Sequence, residues 1–217
     1  MVIKNKLTGI TRFWMIKYYQ KYFNVTTDEI KRRLINAVTP FNRTPIFPTG
    51  KPDLYGPMWI YFWNIILIMM CGYFSHYVEF IYFKTHKSNE EVQALIVKKL
   101  GKVWSLMTFY ILMIPIGLYA VFGILGTGNP GFQRMLAIYG YSFTIFIPCY
   151  VIMIVPFEII KYASLGCSAF ISLYFISKEL VEAGTKFLED KTVKLVAIIW
   201  AALHIGFWIL LKFYLFD

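Results

Sequence analysis

The sequence predicts an all-α, polytopic membrane protein: five transmembrane helices behind a short helical segment on the cytosolic (or matrix) side. Three observations predict it. Of the 217 residues, 58% are hydrophobic and only 16% charged, against about 25% charged in a soluble domain. Five long apolar runs occupy the chain after residue 57, each long enough for the roughly 20 residues that cross a bilayer. The residues before position 57 are instead basic, polar and punctuated by proline. We therefore divide the chain into a basic extramembrane segment, 1–52, and a five-span membrane domain, 53–217.

The basic segment comes first. Residues 1–27 carry five basic residues, no acid and no long apolar core, unlike a cleavable signal peptide. Ile3, Leu7, Ile10 and Trp14 recur at helical spacing with Lys4, Lys6 and Arg12 between them. That pattern suits an interfacial helix on an anionic membrane, and its acid-poor character also suits a mitochondrial-type N-terminus. Thr27 is placed to cap a helix from Asp28 to Val38, in which Ile30, Leu34, Ala37 and Val38 form one apolar stripe. Pro40, Pro45, Pro48 and Pro52 then interrupt helix formation, which implies a semi-extended linker.

Asp53-Leu54-Tyr55-Gly56-Pro57 marks the passage from water to lipid. Pro57 suits a first helical turn, Gly56 tolerates turn geometry, and Asp53 can cap the turn. Trp59, Tyr61 and Trp63 follow where aromatic belts sit. The expected spans are 57–83, 103–125, 132–155, 159–176 and 193–215. Pro115 and Gly117 are expected to bend the second, and Pro148 lies inside the third. An odd number of spans puts the two ends on opposite sides. The N-terminal segment, the turn near Arg134 and the loop Lys178–Lys194 hold 15 Lys and Arg, against 7 on the other side. The positive-inside rule then places the N-terminus in the cytosol or its matrix equivalent.

Few residues offer chemistry. His76 and Glu79 share a helix face near the end of the first span, where snorkelling into headgroups is expected. His204 sits in the middle of the fifth span, where an interhelical hydrogen bond is expected. Glu158 and Lys161 flank a tight turn and are expected to pair. Cys71, Cys149 and Cys167 lie in apolar runs without metal or disulfide spacing, so buried inert thiols are expected. Gly140, Ser142, Gly166, Ser168 and Ser172 suit close helix packing. A transporter would want broken helices and midplane polar groups; Pro115, Pro148, Asn64 and His204 are the residues available. No catalytic, metal or cofactor motif appears, nor a nucleic-acid module; the excess of basic residues suits membrane lipids or an acidic partner. The chain is expected to be neither an enzyme nor a cofactor binder.

Asp53-Leu54-Tyr55-Gly56-Pro57 resembles the DLYGP signature of the Yip-domain family, the Ypt/Rab-interacting membrane proteins. Tyr139-Gly140-Tyr141-Ser142, in the third span, resembles that family's second signature, YGYS. Tyr18-Tyr19-Gln20-Lys21-Tyr22-Phe23-Asn24-Val25 followed by Thr27 is similar to a segment of one Golgi branch of the family. So are Pro52 to Ile60, Tyr139 to Pro148, Leu203-His204 and the terminal Phe216-Asp217. The resemblance covers residues 15–217.

It implies five spans, a cytosolic N-terminus and residence in endoplasmic reticulum, Golgi or endosomal membranes. It implies binding of prenylated Rab-type GTPases and sibling Yip proteins, a role in vesicle budding or Golgi organisation, and no catalysis or cofactor. Asp53, Leu54, Tyr55, Gly56 and Pro57, with Tyr139, Gly140, Tyr141 and Ser142, are the motif residues carried over. Relatives begin with longer polar regions, whereas here only a short basic stretch, about 14 residues long, precedes the matching region that starts at residue 15. That departure keeps a second reading open: a structural accessory subunit of a large membrane complex, including one of the mitochondrial inner membrane.

Overall fold

In the computed structural model, the described residues are 20, 23–41, 44–48, 51–84 and 88–216. The expected interfacial helix around Ile3, Leu7, Ile10 and Trp14, residues 18, 19, 21 and 22 of the YYQ-like segment, and Asp217 lie outside them. The described elements are helical: α1 (Thr27–Val38), α2 (Tyr55–Phe83), α3 (Asn89–Leu125), α4 (Phe132–Ser142), a 3-10 turn (Phe143–Ile145), α5 (Phe146–Ile152), α6 (Glu158–Gly184) and α7 (Asp190–Phe216). Five helices or helix pairs are long and apolar enough to cross a membrane: α2, α3, α4 with α5, α6, and α7.

The third span is the core. In its most apolar stretch 72% of the residues are buried, against 22–33% in the other four. Tyr139, Tyr141, Phe143 and Phe146 of this span are essentially inaccessible, as are Met107 and Phe122 of α3 and Trp200 and Leu211 of α7. The outer spans keep large apolar side chains exposed, as lipid-facing helices do.

Several boundaries differ from the expected ones for local reasons. Thr26, not Thr27, caps α1, because Glu29 stands three residues later and completes a reciprocal capping box. The expected loop 84–102 is helix from residue 89 onward: Ser88 and Glu91 form a second capping box and start α3 at Asn89. α6 likewise runs on to Gly184 through the expected loop. α3 is assigned as one continuous helix through Pro115 and Gly117. The interruption is in the third span instead, just before Pro148. Pro148 is the third residue of α5, in a first turn where its missing N–H costs nothing. Asn64 stitches this break: its amide donates to the Phe143 carbonyl at 3.3 Å and to the Ile60 carbonyl at 2.7 Å. Neighbouring helices re-satisfy a broken membrane helix in this way.

The turn before α2 is not a bare boundary. Tyr61 of α2 bonds Thr108 of α3, which sets those two positions level. From there α3 runs 17 residues to Leu125, whereas α2 reaches back only six, to Tyr55. At 1.5 Å per residue, α3 overshoots the start of α2 by about 16 Å. α1 and the linker occupy that recess. Ile46 and Phe47 are fully buried in it, and Glu179 of α6 accepts from the Ile46 N–H at 3.0 Å. Asp53 is consequently 3% exposed, inside protein rather than at a solvent edge. Two small-residue expectations also change. Gly166 faces open space, and Cys167 is exposed while Cys149 is buried and Cys71 half-buried.

Candidate functional site: the joint between the two motifs

Asp53 anchors the joint. Its Oδ2 accepts from the Gly56 backbone N–H at 2.8 Å, so the carboxylate satisfies one of the four donors that a helix start leaves open. Its Oδ1 receives Arg33 Nη1 of α1 as a buried ion pair. Tyr141 of α4 donates its hydroxyl to the same carboxylate, 3.0 and 3.1 Å from the two oxygens. Arg33 Nη2 reaches the Lys51 carbonyl at 3.5 Å, and the guanidinium lies 4.9 Å over the Phe47 ring. A desolvated carboxylate is tolerable only when paired and hydrogen-bonded, and here three segments supply the partners.

Sterics lock the same place. A Cβ on Gly140 would lie 2.3 Å from the Pro57 Cβ, and one on Gly56 would lie 2.1 Å from the Tyr141 hydroxyl. Each motif therefore provides the glycine that the other motif's bulky residue needs. Asp53, Gly56, Pro57, Gly140 and Tyr141 thus converge, although 88 residues separate Asp53 from Tyr141. The other four motif residues do not. Leu54 is partly buried at the helix start. Tyr55 is exposed and makes an edge contact with Phe23. Tyr139 turns towards Tyr110 and Trp200. Ser142 bonds back to the Tyr139 carbonyl at 2.6 Å. Sequence reasoning missed Arg33 and Phe47. The signal for Arg33 was its spacing, three residues after Ile30 and four before Ala37, which puts it beside the apolar stripe.

A protein-family model for the Yip1 domain matches residues 46–211. The chain belongs to the Yip1 domain family. It is 29% identical over 94% of its length to a Dictyostelium discoideum protein described as a YIPF1 homolog, of which it covers 56%. It is 25% identical over 77% of its length to protein YIP5 of Schizosaccharomyces pombe, of which it covers 66%. The chain therefore spans less than two thirds of either relative. No solved structure matches it.

In this Yip1-domain chain a second polar cluster lies deeper. His204 of α7 bonds the Tyr110 hydroxyl through Nδ1 and Ser172 through Nε2 at 2.8 Å. Trp208 Nε1 donates to the same Nε2 at 2.8 Å. Indole N–H can only donate, so Nε2 is the acceptor and the proton of the neutral ring sits on Nδ1. The histidine ties α3, α6 and α7 together, as an interhelical hydrogen bonder should. Among the described residues no group of three or more His, Cys, Asp or Glu is placed to hold a metal ion.

At the far end of the bundle, Lys161 pairs with Glu79 at 2.9 Å. The expected Glu158–Lys161 pair is replaced because Glu79, on a neighbouring helix, comes within reach of the ammonium.

Proposed function

We propose that this chain is a non-catalytic membrane factor that binds prenylated Rab-type GTPases and other Yip-domain proteins, and acts in vesicle-mediated transport and Golgi organisation. Its residues 1–52 form a cytosolic segment and 53–217 the membrane domain. The observation that carries this reading is the interlocked joint. The two family motifs meet at Asp53, and they do so by gripping Arg33 of the segment that faces a cytosolic partner. The joint fixes α1 to the bundle, so a partner docked on α1 is held to the membrane domain. The outward side of α1 and the following turn exposes Lys31, Ile35 and Phe41, a mixed basic and apolar surface suited to a protein contact.

Capture of prenylated and unprenylated Rab-type GTPases on the purified, detergent-solubilised chain tests the reading. The prenylated form is retained, and Ile35→Glu reduces retention while leaving the bundle folded. Recovery no greater than on empty resin would overturn it.

A further inference from the structure

On the lipid-facing side of the bundle, α6 and α7 enclose a groove of about 360 Å³. Small residues open it. Gly166 and Ala169 line it, and a Cβ on Gly166 would meet nothing within 4 Å. Phe170 of α6, with Ile205 and Ile209 of α7, stands exposed along the groove, while Leu165 and Trp208 are buried beneath. One end lies in the middle of the bundle, at Leu173 and His204. The two ring nitrogens of His204 are already engaged by Tyr110, Ser172 and Trp208, so this end offers an occupant only apolar contact. The other end carries Tyr162 and Lys212. It is the end away from α1, because Lys178, farther along α6, reaches the linker carbonyls. The Lys212 ammonium lies 5.3 Å from the centroid of the Tyr162 ring and 5.6 Å from that of Phe213. Ring faces hold an ammonium by its charge and take few of its N–H donors. Among the described residues no carboxylate forms an ion pair with Lys212.

We propose that this groove holds one acyl chain of an anionic glycerophospholipid from the leaflet opposite the N-terminal segment, with the lipid phosphate at Lys212. Length argues for a lipid chain. From Tyr162 to Leu173 the groove follows α6 for about 16 Å at 1.5 Å per residue. Half of a hydrocarbon core of roughly 30 Å is about 15 Å, so the groove runs from headgroup level to the midplane, the depth of a single leaflet. Polarity argues the same way: the wall is apolar along its length and the cation stands at the mouth. Lys212 lies in the last turns of α7, which ends at Phe216, and a long lysine side chain there snorkels to the headgroups. A cation with no carboxylate opposite it favours a head of net negative charge, so a neutral lipid with the same chains fits the groove but not its mouth. The exposed rim of Phe170, Ile205 and Ile209 lets the chain enter sideways from the bilayer. The site does not rest on GTPase binding, because it lies away from α1.

The full chain, purified in mild detergent and stripped of bound lipid, is titrated with dioleoyl phosphatidylglycerol, dioleoyl phosphatidylcholine and glycerol 3-phosphate, and native mass spectrometry counts the molecules bound. Phosphatidylglycerol binds at one saturable site per chain, tighter than phosphatidylcholine by about fivefold, the worth of one lysine at an anionic surface. Lys212→Gln removes that preference and Lys212→Arg keeps it. Gly166→Leu fills the groove from a position with room for a side chain, leaves Lys212 in place and weakens phosphatidylglycerol binding by about tenfold or more. Helicity by circular dichroism and thermal unfolding are the controls, and the two Lys212 variants decide the matter if Gly166→Leu fails to fold. Equal binding of the two lipids by the parental chain would reduce the groove to a surface that any lipid covers and overturn the proposal. Parental affinity in the Gly166→Leu protein would overturn it too, as would displacement of phosphatidylglycerol by glycerol 3-phosphate, the mark of a soluble-anion site.

Discussion

Arg33 and Asp53 are 3% and 5% exposed at their side chains, and the consequence of removing one is different from that of removing both. Arg33→Met strands a carboxylate in a site whose remaining donors are the Tyr141 hydroxyl and one backbone N–H, and a broken buried pair costs about 3–5 kcal/mol. Asp53→Leu strands the guanidinium and frees the Tyr141 hydroxyl at comparable cost. The double variant leaves no orphan charge, so its loss is smaller than the sum of the two, measured by thermal unfolding in detergent; additive losses would mean the two groups do not act as a pair. The glycines give a second test. Gly140→Ala drives a methyl into Pro57 and costs about 1–3 kcal/mol, whereas Gly166→Ala enters open space and is neutral or stabilising by up to about 1 kcal/mol. Equal effects in the same unfolding assay would remove the steric lock. Half of this joint was legible in the sequence. Asp53 announces itself as a cap because Gly56 follows at the right spacing, and Gly140 as a packing residue because it stands in an apolar run. That Tyr141 should find Asp53 was not legible, since nothing local encodes a contact across 88 residues. Arg33 was hidden because it ends a run of three basic residues that reads as a solvated face.

At the scale of elements, the apolar runs declared the spans, and the boundaries failed wherever charge disguised a helix. Glu90, Glu91, Lys98 and Lys99 make the start of α3 look like loop, yet the Ser88–Glu91 box and the spacing of Val92, Leu95 and Ile96 hold it helical. α1 depends on the same device. Thr26 accepts from the Glu29 N–H at 3.3 Å, and Glu29 returns the bond to the Thr26 N–H at 3.0 Å. That backbone bond, first among the causes, holds the Glu29 carboxyl below its ordinary value, with Arg33 and Arg32 adding to the effect. A carboxyl depressed in the folded state contributes stability that is present above its unfolded pKa and is lost as pH falls through the folded one. Amide exchange in α1 should accordingly quicken as pH drops below the ordinary carboxylate range, beyond the intrinsic pH dependence of exchange. Glu29→Gln retains the box in shape and removes that acid sensitivity, while Thr26→Ala weakens α1 by about 1 kcal/mol at every pH. An acid response that survives in the Glu29→Gln protein would place its origin elsewhere.

For the molecule as a whole, the contacts sort the connecting segments into two sets. The turn after α3 meets the turn after α6, where the Thr127 N–H reaches the Phe187 carbonyl at 3.0 Å. Lys178 of α6 reaches the Pro40 and Thr44 carbonyls of the linker at 3.3 and 3.2 Å. Those segments therefore share an end with α1. The opposite end gathers Glu79 with Lys161 and Lys99 with the Leu215 carbonyl. Five crossings demand this division, and the charge asymmetry of 15 against 7 is the ground on which the α1 end is proposed to face the cytosol. Single cysteines at Thr127 and Thr185 should react with an impermeant maleimide from the same side as one at Lys31, in a protein whose three native cysteines are replaced by alanine. Cysteines at Lys84 and Phe157 should react only from the other side of sealed vesicles, or after permeabilisation. Because the first set is tied together by hydrogen bonds, its members must switch sides together. A vesicle preparation in which Thr127 and Lys31 label from opposite faces would therefore contradict the five-span arrangement itself, whereas joint labelling from the lumen would contradict only the charge rule.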